Sequence, residues 1–178
     1  MNVFWSRGYH GTSLPDLLSA TELSRGSLYA AFGDKHGLFL RSLDRYIADA
    51  LIRLDAELDP KKSALAGVRK CLAGYADRTS GVAGKRGCLV VATAMELAAH
   101  DPEVEQRLRR FFGALETRLA EALAQGQASG EVAKGVEPRI AARLLVCLVE
   151  GMRVVGKTGS DRAVSQAVVQ TIIDRLAV

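Results

Sequence analysis

The stretch SRGSLYAAF, residues 24–32, has the form of a short helix but little of the apolar surface that a buried helix needs. Ser24 is placed to cap it, and Leu28 and Phe32 repeat at i, i+4 as a single inward edge. Gly26, Ser27 and Ala30 fall on the opposite side, flanked by Arg25 and Tyr29. A helix with a shallow outer face of small side chains suits the major groove of a DNA duplex. Arg25 carries the fork that reads a guanine edge, and Ser27 can bond a base or a phosphate. Gly26 lets the backbone approach closely, at a helix cost of about 1 kcal/mol.

Upstream, SLPDLLSA, residues 13–20, predicts a second short helix. Ser13 and Asp16 have capping-box spacing, Pro15 sits in the first turn, and Leu14, Leu17 and Leu18 form one apolar face. Two such helices joined by about four residues read as helix-turn-helix. Thr12, Tyr29 and Lys35 are placed to hold phosphates, contacts that set register rather than sequence preference.

Downstream, Gly33 breaks the pattern and Asp34 caps a long helix over 35–58, which Asp59-Pro60 ends. Further helices are predicted over 63–78, 88–100, 104–127, 140–155 and 164–176. TSGVAGKRG, residues 79–87, reads as a basic loop, and 88–100 is apolar nearly all round, as in a buried helix. The fold class is therefore all-α.

The 178 residues suffice for a small domain plus a larger one. No stretch is apolar for long enough to span a bilayer and no secretory signal is visible, so the chain reads as cytoplasmic and no membrane partner is expected. Net charge is +4. The basic excess lies mainly in residues 61–86, which carry seven Lys and Arg against one Asp, rather than in 1–46, with five against four. Charge alone thus does not identify the DNA reader. Cys71, Cys88 and Cys147 are widely spaced and lack metal-ligand spacing, so neither a disulfide framework, a metal nor a cofactor is expected. His100 and Glu96 form an i, i+4 pair without further ligands, read as a solvated helix end.

The segment GYHGTSLPDLLSATELSRGSLYAAFGDKHGLF, residues 8–39, resembles the DNA-binding segment of the tetracycline-repressor (TetR/AcrR) family. Gly8-Tyr9, Thr12-Ser13, the run 24–29, Phe32, and Lys35 with Leu38-Phe39 carry the resemblance, and RGCLVVATAMELAAHDPEV resembles one broad subgroup. It implies a helix-turn-helix DNA-binding domain over 1–46 and a helical ligand-binding and dimerisation domain over 47–178. By position it places Thr12, Ser13, Arg25, Gly26, Ser27, Tyr29 and Lys35 at DNA. The family has a full helix before the Gly-Tyr pair; here only MNVFWSR precedes it. The first helix is thus expected to be incomplete, with the native start upstream and Val3, Phe4 and Trp5 packing on Leu17, Leu28 and Phe32.

The resemblance further implies a homodimeric repressor of a two-fold operator in double-stranded DNA, released by an unknown small-molecule inducer. Helices at about 140–155 and 164–176 would pair through Leu144, Leu148, Gly151 and Val155 with Val164, Val168, Ile172 and Leu176, which are too apolar for solvent. Tyr75, Met95, Phe111, Leu115 and Met152 are candidates to line an apolar ligand cavity, or simply core. Cys88 follows Lys85-Arg86-Gly87 at a helix start, where a thiolate is favoured, so release by thiol modification is a second route; the plainer reading is a packing residue. The alternative function is a dimeric small-molecule binder with impaired DNA binding. An enzyme is not expected: there is no CxxC pair, nucleophile elbow or glycine-rich phosphate loop.

Overall fold

The computed structural model describes residues 1–59 and 61–178; Pro60, expected to end the long helix, lies outside the described residues. Ten helices occur among the described residues, and the only β-pairing among them is an isolated antiparallel bridge between Val132 and Ala177. No helix among them is long and apolar enough to cross a membrane.

The contacts divide the chain into two compact units, Met1–Asp49 with Cys88–Arg109, and Ala50–Gly87 with Arg110–Val178. The division is not the linear one expected at residue 46, because α7 (Leu89–Leu97) and the start of α8 (Pro102–Ala128) belong to the first unit.

The first unit also holds α1 (Asn2–Arg7), α2 (Leu14–Thr21), α3 (Arg25–Phe32) and the start of α4 (Lys35–Glu57). Its core is aromatic at one end. Phe4 is fully buried, with its ring edge-on to Phe39 at 5.1 Å and stacked on Tyr9 at 6.3 Å, and Trp5 meets Tyr46 edge-on at 4.9 Å. The ring partners of Phe4 and Trp5 therefore lie on α4 and the α1–α2 turn, and Phe32, expected beneath them, is only half-buried. Leu17 and Leu28 are each the one buried residue of α2 and α3.

The second unit holds α5 (Ala64–Arg78), α6 (Gly81–Arg86), α9 (Pro138–Gly156) and α10 (Arg162–Leu176), with the rest of α4 and α8. Ser63, Glu137 and Asp161 cap α5, α9 and α10 by accepting amide hydrogen bonds, and Pro138 occupies the first turn of α9. Val68, Leu72, Phe111, Leu123, Leu145 and Ile173 fill its core. Residues 81–86, expected as loop, form α6 despite two glycines.

Candidate nucleic-acid interface

The helix-turn-helix begins at the cap of α2. The Ser13 side chain accepts from the Asp16 amide, and Asp16 Oδ2 accepts from the Ser13 amide at 2.9 Å and its hydroxyl at 2.6 Å. Arg7 adds an ion pair to the same carboxylate. The Ser13 hydroxyl and amide, with Arg7, lower the Asp16 pKa to about 2. Because the folded-state pKa lies below the usual carboxylate value, the cap's contribution is complete above about pH 4. It is lost as pH falls through about 2. A carboxyl-carbon NMR titration should show Asp16 with a midpoint of about 2; a midpoint near 4 would mean that the capping box is not formed in solution.

Glu22 makes the turn in the left-handed region at φ 56°. Ser24 then caps α3, its hydroxyl oxygen accepting from the Ser27 amide at 3.1 Å and lying 2.9 Å from Ser27 Oγ. Leu28 is fully buried, while Arg25, Gly26, Ser27, Tyr29 and Ala30 are all exposed. The Arg25 guanidinium lies over the Tyr29 ring at 5.9 Å. A Cβ added at Gly26 would meet nothing closer than Ser24 Oγ at 3.9 Å, so nothing inside the chain requires glycine there.

Of the other residues expected at DNA, Ser13 is exposed and Lys35 half-buried, its ammonium 4.4 Å from the Tyr9 ring centre. Thr12 requires a correction. It is 1% exposed and its hydroxyl donates to the Gly8 carbonyl at 2.6 Å, so the side chain locks the turn internally.

One contact that the sequence does not disclose runs from α7. Glu96 Oε2 accepts from the Tyr9 amide at 2.9 Å, and Oε1 accepts from the His10 amide at 2.7 Å. Glu96 thus holds the α1–α2 turn. Nearby, His36 Nε2 meets Asp101 Oδ2 at 2.7 Å. Burial pushes the Asp101 pKa up, but the Val104 amide and His36 outweigh it, leaving the carboxyl below its ordinary value.

The expected ligand residues divide between the units. Tyr75 and Leu115, with Leu54, Cys71, Leu72, Leu119, Val146 and Val149, line an apolar gap in the second unit of about 10 Å³, room for roughly one water. Phe111 is buried in the same unit but is not among those lining residues, and neither is the half-buried Met152. Cys88 and Met95 belong to the first unit. Met95 is 85% exposed, so α7 is not apolar and buried on every side. Cys88 is buried at the start of α7, 3.4 Å from the Tyr46 hydroxyl. Burial pushes the Cys71 thiol, and likewise the Tyr75 phenol, up to about 12.

Sequence reading also missed Arg153, which is buried, bonded to Glu150 at 3.2 Å, and lies over the Tyr75 ring at 4.8 Å; Arg78 lies over the same ring at 4.6 Å. The signal was its register, since 142, 145, 146, 149, 153 and 156 are the buried positions of α9. The opposite sides of α9 and α10 leave apolar groups exposed: Ile140, Leu144, Val154 and Val155 on α9, and Val164 and Val168 on α10, with Cys147 and Gly151 exposed among the former. Of the other expected dimer residues, Leu148 and Ile172 are half-buried and Leu176 is buried within the unit.

Two family models match the chain: residues 1–41 match the bacterial regulatory proteins of the tetR family, and residues 64–172 match the tetracyclin repressor-like C-terminal domain. The chain is 30% identical over 162 residues to the HTH-type transcriptional repressor ComR of Escherichia coli (strain K12), covering 90% of this chain and 77% of ComR. It is 25% identical over 149 residues to the repressor DhaR of Mycobacterium sp. (strain GP1), covering 84% of this chain and 74% of DhaR. Among solved structures it superposes, with TM-score 0.84 and 32% identity over 97% of this chain and 91% of the other, on a cysteine mutant of the TetR family regulator CifR complexed with 26bp double-strand operator DNA. The reduced form of NemR from E. coli shares the fold, with TM-score 0.84 at 20% identity over 98% of this chain and 91% of the other.

Proposed function

Since the chain belongs to the tetR family of bacterial regulatory proteins, and is thereby a DNA-binding transcriptional regulator rather than an enzyme, we propose that it acts in the cytoplasm as a homodimeric repressor of a two-fold operator. The observation that carries this reading is α3: a capped helix with one buried residue, whose exposed Arg25, Gly26, Ser27 and Tyr29 have the size and chemistry of a groove reader. Ser13 and Lys35 hold phosphates beside it. In the dimer two such helices read half-sites about 34–36 Å apart.

Release follows from a small molecule that enlarges the gap beside Tyr75 and Leu115, or from modification of Cys88. In the closed gap an inducer of ordinary size does not fit. A ligand therefore selects a more open shape, and can act only through its differential affinity for the two shapes. Inducer and operator then weaken each other's binding by the same factor. An adduct on Cys88 must displace the Tyr46 hydroxyl.

The test is binding to the duplex upstream of the chain's own gene, titrated with salt. A steep fall of affinity with salt and a symmetric footprint are expected. Arg25→Ala should weaken binding about 10- to 100-fold and relax preference at one base pair per half-site. Gly26→Ala should leave the fold intact, because the added methyl meets only Ser24 Oγ at an ordinary contact distance of 3.9 Å, yet weaken binding by crowding the groove. If both variants bound like the unmodified chain, α3 would not be the reader.

A further inference from the structure

From the two bonds that Glu96 accepts, and resting on the DNA-binding function, we infer that Glu96 is a positioning residue for operator recognition. Its carboxylate pins the turn from which the phosphate contacts and the groove reader are presented.

The tie is specific in its chemistry. Both carboxylate oxygens are used, one on the Tyr9 amide at 2.9 Å and the other on the His10 amide at 2.7 Å. Hydrogen bonds to an ionised acceptor are shorter and stronger than neutral ones. The carboxylate also lies close against Gly8, where an added Cβ would stand 2.7 Å from Oε2, and Gly8 has φ 73°. Glycine at position 8 thus meets two demands, a left-handed backbone and room for the carboxylate.

The turn passes this constraint on. The Gly8 amide donates to the Phe4 carbonyl at 2.9 Å, and the Gly8 carbonyl accepts from Thr12 Oγ1 at 2.6 Å. Ser13, the cap of α2, follows at once. On the other side, the Tyr9 ring packs on Phe39 at 5.0 Å and supports the Lys35 ammonium at 4.4 Å. Fixing the Tyr9 backbone therefore fixes the ring beside which Lys35 rests. Glu96 lies 86 and 87 residues away from the amides that it holds, on an element outside the helix-turn-helix.

Electrostatics alone predicts the opposite sign. A carboxylate in a DNA-binding unit opposes the phosphates, so Glu96→Gln would tighten binding if Glu96 were only a surface charge. As a positioning residue it must do the reverse. The Gln amide nitrogen cannot accept, so one of the two backbone amides is left facing a donor. A reader that holds its binding shape only part of the time binds more weakly in proportion to the time lost.

The experiment compares the full chain with Glu96→Gln on a duplex selected by the unmodified chain from a random-sequence library. Operator affinity is followed together with the Tyr9 and His10 amide resonances. The expected result is an affinity loss of about tenfold or more, with an unfolding midpoint close to that of the unmodified chain and at least one of the two amides shifted and exchanging faster. Equal or tighter binding by a folded Glu96→Gln chain would overturn the role, as would amides that do not move. Should the variant fail to fold, an acid titration of the unmodified chain decides: the two amides must follow the protonation of one carboxylate, and independent behaviour refutes the tie. An unmodified chain that selected no duplex would overturn the DNA-binding function itself, and the positioning role with it.

Discussion

Leu144→Glu is expected to turn the proposed homodimer into a monomer and to abolish tight operator binding, the largest of the effects foreseen on DNA recognition. Leu144 is 53% exposed in the single chain, in a row with Ile140 at 70% and Val155 at 59%, and α10 offers Val164 at 59%. Apolar groups left exposed in this way on two consecutive helices mark an interaction surface. In a two-fold interface each substitution appears twice, so two carboxylates would enter one apolar seam without partners. Burying an unpaired charge costs several kcal/mol, so association of the two copies should weaken by about a thousandfold or more. The monomer retains a single half-site, and the loss of linked binding amounts to about a hundred- to ten-thousandfold in operator affinity. The chain itself should stay folded, because position 144 is outside the core of its unit. Light scattering on a sizing column and DNA titration measure the two effects. Cys147, exposed three residues on from Leu144, supplies a third reading: slow to react with a maleimide in the dimer and fast in Leu144→Glu. A variant that remained dimeric and bound the operator as before would move the interface elsewhere.

How much of this was legible beforehand depended on whether a feature was local. The Ser13–Asp16 box, the Ser24 cap and the Leu28 edge are each written within about four residues of chain, and the helices they specify are present as read. The long helices were equally plain, since an apolar period sustained over four or more turns survives most errors of detail. What stayed hidden was set by distant partners. The Glu96 carboxylate gains its meaning only when folding brings it to Tyr9 and His10; along the chain it is one more charge on a helix end, paired by spacing with His100. A hydroxyl beside a reader suggests phosphate, but the Gly8 carbonyl claims that of Thr12. Along the sequence Arg153, as an arginine, reads as surface. Its place on the buried side of α9 is consistent only when Tyr75 and Glu150 are seen around it. Residues 81–86 have two glycines and a weak local preference for helix, so α6 depends on tertiary context that propensity does not register.

Phe4→Ala should produce the largest change in stability, and confine it at first to the DNA-binding unit. Phe4 is 0% exposed and its ring packs with those of Tyr9 and Phe39, and the Tyr9 ring, in the turn fixed by Glu96, lies beside Lys35. Truncating a buried phenylalanine costs about 3–5 kcal/mol, the lost transfer energy plus the cavity left behind. A domain has roughly 5–15 kcal/mol in all, so the loss is a large fraction of what holds the reader together. The chain provides its own reporter. Trp5 is the single tryptophan, it lies in α1, and its ring meets Tyr46 at 4.9 Å within the same unit. Tryptophan fluorescence therefore follows the unfolding of this unit, whereas far-ultraviolet circular dichroism follows all the helices. In Phe4→Ala the fluorescence transition should move to markedly lower denaturant and separate from the dichroism transition, and operator binding should fail where fluorescence reports unfolding. Phe4→Leu should fall between the two. Coincident, unshifted transitions would show that the aromatic cluster does not set the stability of the reader. A shift of both transitions together would show that the two compact units unfold as one, in which case a defect at residue 4 would be felt throughout the chain.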